Sequence, residues 1–299
     1  VTPFLSDGEI DFEGLKQNVD FQIESGVDAI LPLGTTGEAP TISKDEQSKI
    51  LECVVEYANG RVPVVVGTGT NNTRETIELT KRAKSMGAQC ALIAQPYYSK
   101  PSQEGIFRHF EAVAEACDLP ILVYNIKGRT GVNIETSTML RIATISTICG
   151  VKEASGDLAQ INDVIVEIQN KRDGFAVLSG DDALTLPLMA LGGKGVVSVV
   201  TNIVPRRMVA LVSALRSENY PLARKLHEEL LPIFKASFIE SNPIPIKTMM
   251  RLCGMPAGPF RLPLCDASEK NIECIKPVLT GLGLSVVVSP ELKVVKSCS

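Results

Sequence analysis

The chain has 299 residues, 44% of them hydrophobic and 21% charged, with a formal net charge of −4. That length suits two average domains or one large α/β barrel, and the acidic balance with scattered Lys and Arg argues against a nucleic-acid footprint and for a small-molecule ligand. No uninterrupted apolar run reaches the roughly 18 residues of a membrane span, and no basic segment followed by an apolar core opens the chain, so the expectation is a soluble protein with no membrane contact.

Val1-Thr2-Pro3-Phe4 reads as the end of a first strand whose first residues are missing. A helix follows from Asp11 to Ser25, with Phe12, Leu15, Val19 and Ile23 at helical spacing, Asp11 as N-cap and Gly26 as stop. Apolar runs at Val27 to Leu33, Val62 to Val66, Cys90 to Ala94, Ile121 to Tyr124, Ile148 to Lys152, Phe175 to Leu178 and Gly195 to Val199 read as buried strands. Amphipathic helices separate and follow them at Ser43 to Ala58, Thr73 to Met86, Gln103 to Ala116, Thr136 to Ala143, Leu158 to Gln169, Asp182 to Leu191 and Pro205 to Leu215. Nearly all-apolar strands alternating with helices indicate a parallel sheet covered by helices. Counting the truncated start, eight strand–helix units predict an α/β (β/α)8 TIM barrel over residues 1–218. A doubly wound open sheet is the alternative, but Gly67-Thr68-Gly69 is too short a match for a dinucleotide fingerprint. From about Tyr220 the pattern is purely helical, at Leu222 to Glu240, Pro245 to Leu252 and Ser268 to Leu282, and predicts an appended C-terminal helical bundle over 219–284. Residues 285–299 form a tail to which the sequence assigns no role.

The eight cysteines, at positions 53, 90, 117, 149, 253, 265, 274 and 298, show no Cys-x-x-Cys and no compact framework. They read as small apolar residues in a reducing compartment, and the expected location is cytoplasmic. Only two histidines occur, His109 and His227, both in helical segments, which argues against a histidine-rich metal centre or a His-based triad and leaves an acidic metal site open.

The strand Ile148-Cys149-Gly150-Val151-Lys152 delivers one lysine at its end. Desolvating an ammonium is costly and drives the lysine pKa down, so Lys152 is either a neutral amine poised to form a Schiff base or a residue just past the strand whose ammonium reaches water. In a barrel the chemistry gathers at the strand ends. There lie Gly34-Thr35-Thr36-Gly37-Glu38, a loop able to cradle a carboxylate; Pro96-Tyr97-Tyr98; Tyr124-Asn125; and Arg129-Thr130-Gly131, whose arginine could grip an acid group or make an ordinary loop salt bridge. Gly180-Asp181-Asp182 is most simply a turn and a helix cap, and Gly195-Val196-Val197-Ser198 closes the series. Together they suit attack of Lys152 on a small 2-oxo acid, with a tyrosine hydroxyl moving protons and the imine acting as electron sink, without metal or cofactor.

In this order, these motifs resemble the class I pyruvate-dependent aldolases, the family that includes dihydrodipicolinate synthase and N-acetylneuraminate lyase. The resemblance extends through Asn242-Pro243-Ile244-Pro245-Ile246-Lys247 to Arg261-Leu262-Pro263, and the dihydrodipicolinate synthase branch fits best. It implies that Lys152 forms the pyruvate imine and Tyr124 transfers protons. Thr35 and Tyr98 would complete a hydroxyl relay, with Tyr98 reaching into a neighbouring subunit. Thr36 would bind the pyruvate carboxylate, Arg129 that of L-aspartate 4-semialdehyde, and Val197 and Gly180 would line the pocket. The implied product is 4-hydroxy-tetrahydrodipicolinate, on the route to lysine and diaminopimelate, and the implied assembly is a homotetramer made as a dimer of dimers. An aldolase cleaving a 2-keto-3-deoxy sugar acid or N-acetylneuraminate, and a catalytically silent barrel, are the competing readings. Lys127 stands where the family commonly has proline, which bears on the loop that positions Arg129. Asn71, Glu75 and Tyr97 match a lysine-inhibition site, while Ala39, Lys44 and Gln47 replace its serine and two histidines. Weak or absent lysine inhibition is therefore expected.

Overall fold

The computed structural model describes residues 1–287. Six strands form one parallel sheet in sequence order: β1 (Val65–Gly67), β2 (Cys90–Ala94), β3 (Ile121–Asn125), β4 (Ile148–Glu153), β5 (Ala176–Ser179) and β6 (Gly195–Val196). Helices run between and around them: α1 (Phe12–Glu24), α2 (Lys44–Ala58), α3 (Thr73–Ser85), α4 (Gln103–Ala116), α5 (Lys127–Thr130), α6 (Thr136–Ile142), α7 (Leu158–Gln169), α8 (Thr185–Ala190) and α9 (Pro205–Arg216). The short polar residues before the long helices cap them: Asp11, Ser43, Asn72, Ser102 and Asp157 each accept from backbone N–H groups of the first turn.

Side chains alternate across the sheet, as the strand period requires. Ala91, Ile93, Ile121, Val123, Val151 and Val177 pack outward against Phe110, Val113, Met139, Ile142, Ile161 and Val164 of the helices. Leu92, Leu122 and Tyr124 group instead with Leu31, Val65, Leu178 and Val197 in the interior. The ladder register places Ala94, Tyr124, Lys152 and Leu178 in one cross-strand row.

Two expected strands differ from the sequence reading. Val1 to Phe4 is not a strand: Phe4 makes a single antiparallel bridge to Ile10, and the Thr2 hydroxyl donates to the Gly37 carbonyl. Val27 to Leu33 pairs in parallel with the β1 segment through one bridge, Ile30 to Val64, with Ile30 N–H donating to Pro63 O and Gly67 N–H to Pro32 O. Pro32 has no N–H to extend that ladder, and Leu33 turns away at φ 58°. β6 also stops short of Val199, because the chain bends into a 3-10 turn at Val200–Asn202. The helix expected from Asp182 to Leu191 begins as a separate 3-10 turn, Asp182–Leu184, and α5 had no signal in the sequence pattern. Even so, the sheet curls: the Ile30–Pro32 segment and Gly195–Val197 line the same cavity from its two edges. The architecture is α/β of the TIM-barrel type.

After α9 come α10 (Tyr220–Ala236), α11 (Ile244–Leu252) and α12 (Glu269–Gly281). Their Leu230, Ile233, Phe234, Met249, Ile275 and Leu279 share one apolar cluster with Val200, Ile203 and Met208 of the β6–α9 region. Of the expected tail, Val287 N–H donates to the Leu252 carbonyl, and residues 288–299 lie outside the described residues. No described helix is long and apolar enough to cross a membrane.

Candidate active site

A cavity of about 810 Å³ runs from the C-terminal ends of the strands through the barrel interior and out between α1 and α9, where Leu15, Val19, Met208 and Val212 line it. Lys152, Tyr124, Thr35, Thr36, Arg129, Gly180 and Val197 all line it, so the curl of the sheet gathers residues scattered along the chain. Tyr98 does not. It stands 89% exposed on the loop after β2, with φ at 71°.

Lys152 is buried near the end of β4, where the strand period turns it inward. Burial lowers its pKa to about 8, with the Arg129 charge helping and the Asp182 carboxylate opposing. A sizeable fraction of the amine is therefore free and nucleophilic near neutrality. Its Nζ sits 4.1 Å from the centre of the Tyr124 ring. Room for the lysine comes from Gly180: a Cβ there would stand 2.8 Å from Ala154 Cβ and 3.1 Å from Lys152 Cε. A side chain at 180 would clash with Ala154 and the Glu153 carbonyl and crowd the Lys152 stem.

Tyr124 is 7% exposed, and burial raises its hydroxyl to about 12, against the Arg129 charge and a hydrogen bond with Thr35. The phenol stays protonated at neutral pH and can donate. Thr35 and Thr36 come from the loop after Leu33, whose glycines permit its tight course: a Cβ at Gly37 would lie 3.3 Å from Leu33 N. Val197 N–H donates to Ser179 O at 2.8 Å, which extends β6 into the cavity wall.

Arg129 rides on α5, ended by Gly131 at φ 77°. Lys127 is the first helical residue there, a position that tolerates proline as readily as lysine, so the substitution leaves the Arg129 turn intact. The Arg129 Nη2 donates to the Asn242 carbonyl at 2.9 Å, while Asn242 Nδ2 donates to the Thr36 hydroxyl at 2.9 Å. Asn242 thus ties two loops from different strands to the segment before α11, and its buried Oδ1 has no partner among the described residues. Below the site, Asn125 Nδ2 donates to Glu153 Oε1 at 2.8 Å and to Asn133 Oδ1 at 3.0 Å, and Gln95 Nε2 donates to Thr130 Oγ1 at 3.0 Å. This network pins the start and end of the Arg129 loop.

Four contributors are not legible as such: Asp182, Glu38, Asn242 and Lys247. Asp182, which the sequence offers as part of a cap, is buried with Oδ2 accepting from Val199 and Val200 N–H at 2.9 and 3.1 Å; Asp181 does the capping, accepting from Ala183 N–H. Burial raises the Asp182 pKa to about 6 against those hydrogen bonds. Glu38 and Lys247 form a fully buried ion pair at 2.5 Å, and Lys247 also donates to Pro259 O at 2.9 Å. That pair clamps the Thr35–Thr36 loop to α11. Asn242 and Lys247 had a signal only in the motif that carries the family resemblance.

The dihydrodipicolinate synthetase family model matches residues 1–281. The 4-hydroxy-tetrahydrodipicolinate synthase of Protochlamydia amoebophila is 51% identical over 282 residues, 94% of either chain. That of Syntrophotalea carbinolica is 48% identical over 284 residues, 95% of this chain and 96% of its own. The crystal structure of dihydrodipicolinate synthase from Thermotoga maritima superposes with a TM-score of 0.93 at 44% identity, covering 95% of this chain and 96% of that one. The chain belongs to the dihydrodipicolinate synthetase family.

Proposed function

We propose that this chain is a lyase that condenses pyruvate with L-aspartate 4-semialdehyde to give 4-hydroxy-tetrahydrodipicolinate, in lysine and diaminopimelate biosynthesis. The observation that carries this reading is the Lys152 amine, buried against a cavity, lowered to about 8 and 4.1 Å from the Tyr124 ring. The free amine adds to C2 of pyruvate, and loss of water leaves an imine on Lys152. Tyr124, its proton relayed through Thr35, donates to the departing hydroxyl. Thr36 holds the pyruvate carboxylate. The imine then takes up the electron pair left when a C3 proton departs, and the resulting enamine attacks the semialdehyde carbon. Attack of the semialdehyde's own amino group on the imine carbon closes the ring and releases Lys152, so one water is lost overall.

Arg129 grips the carboxylate of the second substrate at the cavity mouth, held ready by the Asn242 carbonyl. Gly180 and Val197 shape the wall. Residues 1–218 form the catalytic barrel, and residues 219–284 an appended helical region that anchors the Thr35–Thr36 loop through Lys247. Tyr98 completes the hydroxyl relay of a neighbouring subunit in a cytoplasmic homotetramer, which gives its exposure and its strained φ a use.

The test has two arms. Borohydride reduction in the presence of pyruvate should leave a stable adduct on the peptide holding Lys152. The coupled assay with both substrates should show Arg129→Ala losing roughly 10–150-fold in kcat/KM for the semialdehyde, the worth of a charged hydrogen bond, with adduct formation retained. An adduct elsewhere removes the mechanism. Activity untouched by Arg129→Ala, with pyruvate released from a 2-keto-3-deoxy sugar acid, replaces the second substrate.

A further inference from the structure

Two thiols meet at the end of the barrel interior away from Lys152. Cys90 opens β2 and Cys149 lies one residue into β4, with β3 between them. The β3–β4 ladder pairs Ile121 with Ile148 but Leu122 with Gly150, so Cys149 is the extra residue of a bulge. Its outward neighbours Ile148 and Val151 pack on the helices, while Cys149 groups with Cys90, Leu92 and Leu122 in the interior. The two Sγ atoms are 3.8 Å apart, and both residues are half-buried. The Cys149 Sγ contacts the Ile121 carbonyl at 3.3 Å, and the Cys90 Sγ the Ala91 carbonyl at 3.7 Å.

We propose that Cys90 and Cys149 form a two-coordinate site for a soft monovalent cation, with cuprous copper as its type. Metal–sulfur bonds of about 2.3 Å place the sulfurs of a linear two-coordinate ion about 4.6 Å apart, so the two Sγ atoms, 3.8 Å apart, need to part by less than about 1 Å to take it. A disulfide needs sulfurs about 2.05 Å apart, a large approach for residues separated by a whole strand. The donor set selects the ion: thiolates favour soft Cu(I), whereas zinc takes four ligands, and no group of three or more His, Cys, Asp or Glu able to hold a metal occurs among the described residues. Ligation forms two S–metal bonds and releases two thiol protons to solvent, with no change of oxidation state. The complex carries one negative charge. The hydrogen bond between the thiols lowers the Cys149 pKa, against burial and with a small contribution from the Arg172 guanidinium, while that same bond and burial push the Cys90 thiol up, so the metal–sulfur bond itself has to drive proton release from Cys90.

The test uses the reduced full chain without oxygen, titrated with Cu(I) held by bicinchoninate. The chain should withdraw one Cu(I), show ultraviolet thiolate-to-copper charge transfer, and protect the Cys90 and Cys149 peptides from iodoacetamide while exposed Cys265 and Cys274 stay reactive. Cys90→Ala and Cys149→Ala should each weaken retention at least a hundredfold. The footprint on the unaltered chain decides the matter even if a variant fails to fold. Copper left with the chelator, or protection confined to other cysteines, overturns the site.

Discussion

Lys152 and Tyr124 are direct cross-strand partners in the β3–β4 ladder, and the lysine Nζ lies 4.1 Å from the phenol ring centre. Two neighbouring strands therefore hold the proposed nucleophile and proton donor at fixed spacing without help from a loop. Removing only the hydroxyl should separate their roles. Tyr124→Phe is expected to lose about 10²- to 10⁴-fold in kcat while the borohydride-trapped pyruvate adduct on Lys152 still forms. Loss of adduct with kcat preserved would reverse the assignment.

The pH dependence of the amine follows from its surroundings. The free amine predominates above a pKa of about 8, so adduct formation should rise with pH through that value and then level off. Asp182, itself raised only to about 6, is a carboxylate in that range and favours the Lys152 ammonium. Asp182→Asn keeps an oxygen to accept from Val199 and Val200 N–H but removes the charge. The rising limb of adduct formation should move to lower pH. A limb that stays put or moves upward would show that Asp182 does not act on the amine.

The Glu38–Lys247 pair is wholly buried, and breaking it from one side leaves an uncompensated carboxylate. Lys247→Met should cost about 3–5 kcal/mol in urea or thermal unfolding. Combining it with Glu38→Gln should recover part of that loss. The Lys247 Nζ also lies 4.5 and 5.0 Å from the ring centres of Phe4 and Phe260, and equal destabilisation in single and double variants would mean that these contacts, not the ion pair, govern the site.

Lys44 and Glu75 pair at 2.7 Å on the surface, at two of the positions where the resemblance implies a lysine-inhibition site. Lys44 would put a cation near a cationic effector there, so free lysine should inhibit the coupled reaction weakly or not at all. Inhibition at sub-millimolar lysine would contradict this, while its appearance in Lys44→Ala would identify the pair as the reason.

How much of this was legible depends on the range of the interaction. The alternation of apolar strands and amphipathic helices, the N-caps at Asp11 and Asp157, and the placing of Lys152 at a strand end all rest on neighbours a few residues apart, and sequence records those directly. The weakly paired segments escape a local pattern because pairing is not local: Val27 to Leu33 has the composition of a strand, yet Pro32 and the turn at Leu33 limit its ladder to the bridge at Ile30.

The sequence by itself determined the strand–helix order and the chemical types at the strand ends, from which Lys152, Tyr124, Thr35, Thr36 and Arg129 could be singled out. Only the tertiary structure decided what each of them faces. Asp182 is buried against the Val199 and Val200 N–H groups, where its charge acts on the Lys152 amine, while Asp181 caps the helix, and Glu38 finds Lys247 209 residues away. Asn242 joins Thr36 to Arg129, and a bulge swings Cys149 toward Cys90. The physical reason is that burial and Coulomb interaction set the Lys152 pKa, and both depend on distances through space that the order of residues does not contain.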